Sequence, residues 1–223
     1  MIGEGYNYTI LKEGYAYGTF YLPKFAGINP ATGDAVFYTR NGELTEEFNT
    51  AELSQVIDKS YIPPYFGGIS TDVSYKGITL SVHGAWAYKK YLFNDIRNIF
   101  TIPSIYQDAN KSVEVLTAWN QPGDITEIPS PVRGKPSNQA SSDRTLEDAS
   151  YFKIKNVTLA YTLPAKLVQR AKISNVRIFV QADNLYTFTK YKGNDPEFTY
   201  PGGTDIFPYP NVTTYTFGLD LSF

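Results

Sequence analysis

Cysteine is absent from these 223 residues, and histidine occurs once, as His83. The first absence excludes disulfide frameworks, thiolate zinc sites, iron–sulfur clusters and cysteine nucleophiles. The second excludes multi-histidine metal sites. A Ser-His-Asp triad would have to use His83, and its strand neighbours Thr79, Ser81 and Ala85 supply no acidic partner. Charge is sparse, at 19%, and nearly balanced: 20 Lys+Arg against 22 Asp+Glu give a net charge of -2. A nucleic-acid partner is therefore not expected, since such proteins carry a basic excess. No apolar run reaches the ~18 residues that a membrane-spanning helix needs. No basic stretch with an apolar core follows Met1, so a complete exported precursor is not expected either. Hydrolysis by two carboxylates needs neither Cys nor His, but no acidic pair stands out, and no enzyme or cofactor is expected.

What the chain has in excess is aromatic. Phe, Trp and Tyr make up 16%, with 19 Tyr and 14 Phe, a balance typical of all-β binding and outer-membrane proteins. Gly3 to Gly14 reads as loop, and Tyr15 to Ile28 as partly extended. Asn29-Pro30-Ala31-Thr32-Gly33-Asp34 is turn chemistry. Ala35 to Thr39 is short and extended, Asn41-Gly42 is a hairpin signal, and Thr45 to Lys59 is expected to hold a helical turn. The pattern then sharpens. Ile69, Thr71, Val73 and Tyr75 alternate with Ser70, Asp72, Ser74 and Lys76. After a turn at Lys76-Gly77, Ile78, Leu80, Val82, Gly84, Trp86 and Tyr88 alternate with Thr79, Ser81, His83, Ala85 and Ala87. Such period-2 alternation marks strands with one apolar and one polar or small face.

Tyr91 to Ala149 breaks the pattern for almost sixty residues and is expected to contain a short helix, Ala109 to Trp119. Strands return at Ser150. Phe152 and Ile154 share one phase and Val157, Leu159 and Tyr161 the other, which predicts a β-bulge near Lys155-Asn156. Pro164 to Lys172 is expected to hold a short helical turn. Val176, Ile178, Val180 and Ala182 alternate, Tyr191 to Asn211 is a second long loop, and Tyr215, Phe217, Leu219, Leu221 and Phe223 alternate to the end. Five strands follow, at roughly 65–76, 77–89, 150–163, 175–188 and 212–223.

Alternation alone fits a soluble sandwich as readily as a membrane barrel. Three features favour the barrel. Ten residues at ~3.3 Å each, tilted about 40°, cover ~25 Å of height, the apolar band of an outer-membrane barrel. The connections alternate short and long: Lys76-Gly77, Tyr91–Ala149, Pro164–Ser174, Tyr191–Asn211. Aromatics also sit near strand ends, as in interfacial belts. The expected fold class is all-β: an antiparallel transmembrane β-barrel segment with long extracellular loops.

The C-terminal octet Thr216-Phe217-Gly218-Leu219-Asp220-Leu221-Ser222-Phe223 resembles the outer-membrane assembly signal, in which Thr216, Gly218, Leu221 and Phe223 occupy the polar, glycine, hydrophobic and terminal aromatic positions. That strand would engage the outer-membrane assembly machinery by edge pairing. The chain more widely resembles the SusC/RagA family of TonB-dependent outer-membrane transporters of Bacteroidetes-type bacteria. The resemblance is carried by Gly18-Thr19-Phe20-Tyr21, by Phe25 to Asp34, by Pro64 to Ser70 with Tyr75-Lys76, by Asp148 to Tyr161, and by Val180 to Tyr186. It implies the last five strands of a barrel of about 22, with Met1 to Pro64 an external loop and the plug and TonB-contacting segment absent. It further implies nutrient uptake across the cell outer membrane, a SusD-like lipoprotein partner, the TonB complex as energy source, and a glycan or peptide substrate.

The loop aromatics Tyr106, Trp119, Tyr200 and Phe207 are the candidate ligand-binding residues, because sugar rings stack on aromatic faces and peptides bury side chains against them. The ordinary alternative is that they pack the loops together. Asp183, Asn184, Asp195 and Glu197 match no metal motif, Asp143, Glu147 and Asp148 match no cation loop, and Gly67-Gly68 and Gly202-Gly203 read as turn glycines. The competing reading of the whole chain is a soluble carbohydrate-binding β-sandwich that uses the same aromatics.

Overall fold

The computed structural model describes residues 8–56, 58–102, 110–132, 135–168, 172–198, 200–206 and 208–223. In chain order its strands are Leu22–Pro23 (β1), Phe25–Ile28 (β2), Ala35–Tyr38 (β3), Leu44–Thr45 (β4), Gln55–Val56 (β5), Tyr65–Tyr75 (β6), Ile78–Tyr88 (β7), Tyr91–Asn94 (β8), Leu146–Asp148 (β9), Tyr151–Thr162 (β10), Asn175–Thr189 (β11), Thr204–Asp205 (β12) and Thr214–Ser222 (β13). The helices are Asp95–Thr101 (α1), Pro136–Gln139 (α2) and Ala165–Val168 (α3). The chain divides into two compact units. One gathers Met1–Pro63, Lys89–Ala149 and Tyr191–Pro208, and the other Pro64–Tyr88, Ser150–Lys190 and Tyr209–Phe223.

The second unit is one antiparallel sheet in the order β13-β11-β10-β7-β6. Its five strands are the five expected from alternation. Because directly opposed residues share a face, the register sorts the sheet into rows. Val73, Leu80, Leu159, Val180 and Phe217 form one row across all five strands; the next row along is Asp72, Ser81, Thr158, Gln181 and Thr216. One face is thus predominantly apolar and the other predominantly polar, with Phe66, Ala87, Ala160 and Phe179 among the apolar residues on the latter. The apolar face is not sealed: Val73 is 58% exposed and Phe217 78%. A sandwich would bury these side chains, so the soluble-sandwich alternative does not describe this sheet.

The two-residue link between β6 and β7 has Lys76 at φ 49 and Gly77 at φ 86, the geometry of a type I′ turn. A Cβ on Gly77 would lie 2.7 Å from the Thr162 carbonyl oxygen, so the position excludes side chains by contact as well as by conformation. The expected bulge is present: the β10 ladder shifts between Ile154 and Asn156 against both neighbours. On β7 the flanking partners are His83 and Gly84, next to each other, and on β11 they are Asp183 and Tyr186. Lys155 is therefore one extra residue relative to β7, and Asn184 with Leu185 are two. Asn184 takes φ 52 to achieve this, and its side-chain amide donates to the Val212 carbonyl at 3.2 Å.

Two expectations are corrected. Gly67 and Gly68 are not turn glycines but lie inside β6. The Trp86 ring occupies the space above Gly67, 3.2 Å from where a Cβ would stand, and large aromatics commonly cover strand glycines in this way. The helical turn expected within Thr45 to Lys59 is a single turn at Asn49–Leu53, whose Asn49 carbonyl accepts from both the Glu52 and the Leu53 N–H, and β5 then pairs with β1. The helix expected at Ala109 to Trp119 is a 3-10 turn over Val113–Thr117, opened by the Ser112 hydroxyl accepting from the Glu114 N–H; Ala109 lies outside the described residues. The helical turn expected after Pro164 is α3.

The first unit contains the stretches expected to be long loops, and it is a packed body. Phe20, Leu22, Val56, Phe93 and Leu146 form one apolar core, and Ala35, Phe37 and Leu53 another. Short sheets frame them: β2-β3-β4, closed by the hairpin at Asn41-Gly42, and β12-β8-β9. Replacing Gly77 by alanine in the detergent-solubilised chain is expected to lower unfolding free energy by about 1–2 kcal/mol, the strain of a left-handed residue plus the carbonyl contact. Gly42→Ala, at φ 85 with open space around it, is expected to cost less. Trp86 reports the sheet and Trp119 the other unit, so urea midpoints followed by each tryptophan's fluorescence, with the other replaced by Phe, check the comparison.

Candidate functional site

The polar face of the sheet is tied across strands by its own side chains. Ser70 hydrogen-bonds His83 Nδ1 at 2.8 Å, the Ser81 hydroxyl donates to Asp72, and Ser74 pairs with Thr79 at 3.0 Å. The Asn156 amide donates to Asp183 at 2.7 Å and the Gln181 amide to the same carboxylate at 2.9 Å. Arg177 pairs with Asp220 at 2.9 Å. His83 thus belongs to a hydrogen-bonded polar wall, as its strand phase implied, and stands beside serine rather than an acid. Asp183 and Asn184 lie in the sheet unit, whereas Asp195 and Glu197 lie in the other unit. No group of three His, Asp or Glu placed to hold a metal occurs among the described residues.

The four loop aromatics have different fates. Tyr106 and Phe207 lie outside the described residues. The Trp119 indole N–H donates to the Pro30 carbonyl at 2.9 Å, and its ring fills the space that a side chain on Gly33 would need. Trp119 therefore closes the Asn29–Asp34 turn onto the loop. Tyr200 is exposed.

Sequence pattern did not reveal the cavity that the loop unit does form. It measures about 380 Å³ and is bordered by α1, the 3-10 turn and the segment Lys192 to Asn194. Asn94 caps α1, its side-chain oxygen accepting from the Arg97 N–H at 2.8 Å. This sets Arg97 against Glu114, with Nη2 to Oε2 at 2.9 Å, and against Glu147 at 3.4 Å. Burial works against the charge of Arg97, but the hydrogen bond and the charge of Glu114, with Glu147 and Glu127, hold its pKa above the ordinary value. The hydrogen bond from Arg97 in turn holds Glu114 below the usual carboxylate range. Phe100 and Ile96 supply an apolar wall, and Lys111, Ser112 and Asn194 polar groups. The Asn94-Asp95 cap was the one local signal for this helix, set within a segment without periodicity.

No protein-family model matches the chain. Among curated proteins it is 29% identical to a TonB-dependent receptor of Formosa agariphila over 96% of its own length, and 25% identical to the TonB-dependent receptor SusC of Bacteroides thetaiotaomicron over 95%. Among solved structures it superposes on the RagAB peptide transporter with a TM-score of 0.86 and 32% identity, covering 98% of this chain. It is a relative of the SusC- and RagA-type TonB-dependent receptors. The chain spans 23% and 20% of the two curated relatives' lengths and 24% of the solved chain. These relatives are named as receptors and transporters, not enzymes.

In the sheet unit, β13 and β6 are the two edges. Thr216 lies on the polar face opposite Gln181, and Leu221 on the apolar face opposite Val176. Gly218 lies opposite Phe179, whose ring fills the volume a Cβ would take. Gly218 therefore has a packing reason of its own to be glycine. Phe223 follows the end of β13 and is exposed.

One buried cation links two segments of the loop unit. The Lys90 ammonium, buried next to the end of β7, donates to the Pro196 carbonyl at 2.6 Å and the Glu197 carbonyl at 3.1 Å. Burial lowers its pKa from 10.5 to about 8 against the pull of Glu197 and Asp195. Below that value the ammonium is charged in both folded and unfolded chains, and folding bears the full cost of burying it. Between about 8 and 10.5 the unfolded chain retains a proton that the folded chain releases, so stability rises with pH across that window. Amide hydrogen exchange at residues 194–198, corrected for intrinsic rates, is expected to show rarer opening as pH rises through the window, and Lys90→Met to remove the trend. Equal slopes in both proteins would contradict the assignment.

Proposed function

We propose that this chain forms the last five strands of the barrel wall of a TonB-dependent outer-membrane importer, with its long external loops, and that the complete protein takes up glycans or peptides together with a SusD-like lipoprotein. The observation that carries this reading is the exposed apolar face. Between Ile78 and Tyr88 β7 runs for 11 residues, about 25 Å of height at a tilt near 40°. At one end the row Tyr75, Ile78, Tyr161, Ile178 and Leu219 crosses the sheet. Near the other, Tyr65 pairs with Tyr88, and Trp86, Phe152 and Phe188 share a row. Ring centroids there lie 6.3 Å apart for Tyr65 and Tyr88 and 6.2 Å for Phe152 and Phe188. In water such a face would be an aggregation hazard; against acyl chains it is satisfied, with the aromatic rows at the two interfaces.

Both edges of a five-stranded sheet must be paired for it to lie in a membrane, so the remaining strands come from the rest of the receptor. The polar wall then faces the lumen, and the plug and TonB-contacting segment act from outside this chain. The named peptide transporter among the relatives supports peptides as cargo, and the lipoprotein partnership is what the resemblance to the SusC/RagA family implies. Deleting the gene that encodes the full receptor is expected to abolish growth on one polymer class, peptide or glycan, as loss of TonB also should; unchanged growth on both would reject importer function. Thr216, Gly218, Leu221 and Phe223 act as the assembly signal in this reading. Removing Phe223 from the full-length receptor is expected to reduce its outer-membrane level several-fold, measured by surface labelling. Unaltered levels would reject the signal.

A further inference from the structure

We propose that the hairpin-turn end of the apolar face holds an anionic phospholipid, with the Lys76 ammonium at its phosphate and the trough beneath at an acyl chain. The proposal rests on the barrel reading above. The trough is an open surface groove of about 640 Å³, lined by Lys76, Ile78, Leu159, Tyr161, Ile178 and Val180, with Ala160 and Phe179. Its walls are apolar apart from one charged group at its head. Lys76 is held there by the turn: its φ of 49 sets the backbone direction, and its ammonium lies 5.1 Å from the Tyr75 ring centroid, a cation–π distance.

The surroundings carry the same sign. The link between β10 and β11 contributes exposed Lys166 and Lys172 and exposed Leu167, and its described residues include no acid. Of the sheet's acidic side chains, the one closest in register to this end, Asp220, lies on the opposite, polar face and is paired with Arg177. A positive rim above an apolar trough complements a phosphate-bearing headgroup above a hydrocarbon chain. A neutral hydrocarbon or a zwitterionic lipid would leave the rim's net charge uncompensated. Each lysine near an anionic lipid surface contributes a preference of about fivefold.

The test uses the full-length receptor reconstituted in phosphatidylcholine vesicles containing spin-labelled phosphatidylglycerol or spin-labelled phosphatidylcholine, with the protein-bound lipid fraction read by electron paramagnetic resonance. The wild type is expected to select phosphatidylglycerol. Lys76→Gln is expected to lower that selectivity about fivefold, Lys76→Arg to keep it, and Lys12→Gln, in the other unit, to leave it unchanged. Raising salt toward ~1 M, where the Debye length is ~3 Å, is expected to erase the preference in the wild type without any substitution. Correct insertion with no preference for phosphatidylglycerol, or a preference untouched by Lys76→Gln, overturns the headgroup site and leaves the barrel reading standing. Failure of the wild type to insert overturns both.

Discussion

Everything in the sheet depends on phase. In a strand the side-chain period is two, so one residue of slip anywhere sends every following side chain to the other face. Five strands keep a hydrocarbon-compatible face and a hydrogen-bonding face only if each ladder stays in register from end to end. The row of Val73, Leu80, Leu159, Val180 and Phe217 beside the row of Asp72, Ser81, Thr158, Gln181 and Thr216 is the outcome of that constraint. The bulge at Lys155 is what preserves it. Without the extra residue, Phe152 and Ile154 would face the polar side while Val157, Leu159 and Tyr161 faced the apolar one.

The two irregularities in that ladder show what a pattern of residues can and cannot reveal. Lys155 adds one residue to β10 relative to β7, which reverses the alternation and is visible as a slip. Asn184 and Leu185 add two residues to β11, which returns the alternation to its starting phase: Ala182, Tyr186 and Phe188 all remain on the apolar face. An even insertion leaves no mark on periodicity. Its marks are conformational, in the left-handed Asn184 and in the hydrogen bonds that join Asn184 to Val212 and Thr213.

The loop unit follows different physics. Its strands are two to four residues long, too short for any period to declare itself. Its stability comes instead from a core that draws Phe20, Leu22 and Val56 from the first stretch and Phe93 and Leu146 from the second. Some of its buried polar groups are satisfied in the same long-range manner. Asp34 accepts from Lys135 and Asn138, and the Asn138 side-chain oxygen accepts from the Ala35 N–H at 2.8 Å. The charge network of Arg97, Glu114 and Glu147 likewise joins residues distant in sequence, and it borders a cavity of this unit.

By itself the amino-acid sequence determined the five strands, the Lys76-Gly77 turn, the one-residue bulge and the assignment of polar and apolar faces. Each of these is a local or periodic property of the chain, set by strand geometry and by the few residues able to occupy a left-handed turn. Tertiary structure alone decided that the long stretches condense into a body with its own cores, that Trp119 closes the Asn29–Asp34 turn, that Gly67 and Gly218 are covered by aromatic rings, and where the loop cavity and the lysine-headed trough lie. Those outcomes depend on which distant residues meet, and no spacing along the chain encodes a meeting in three dimensions.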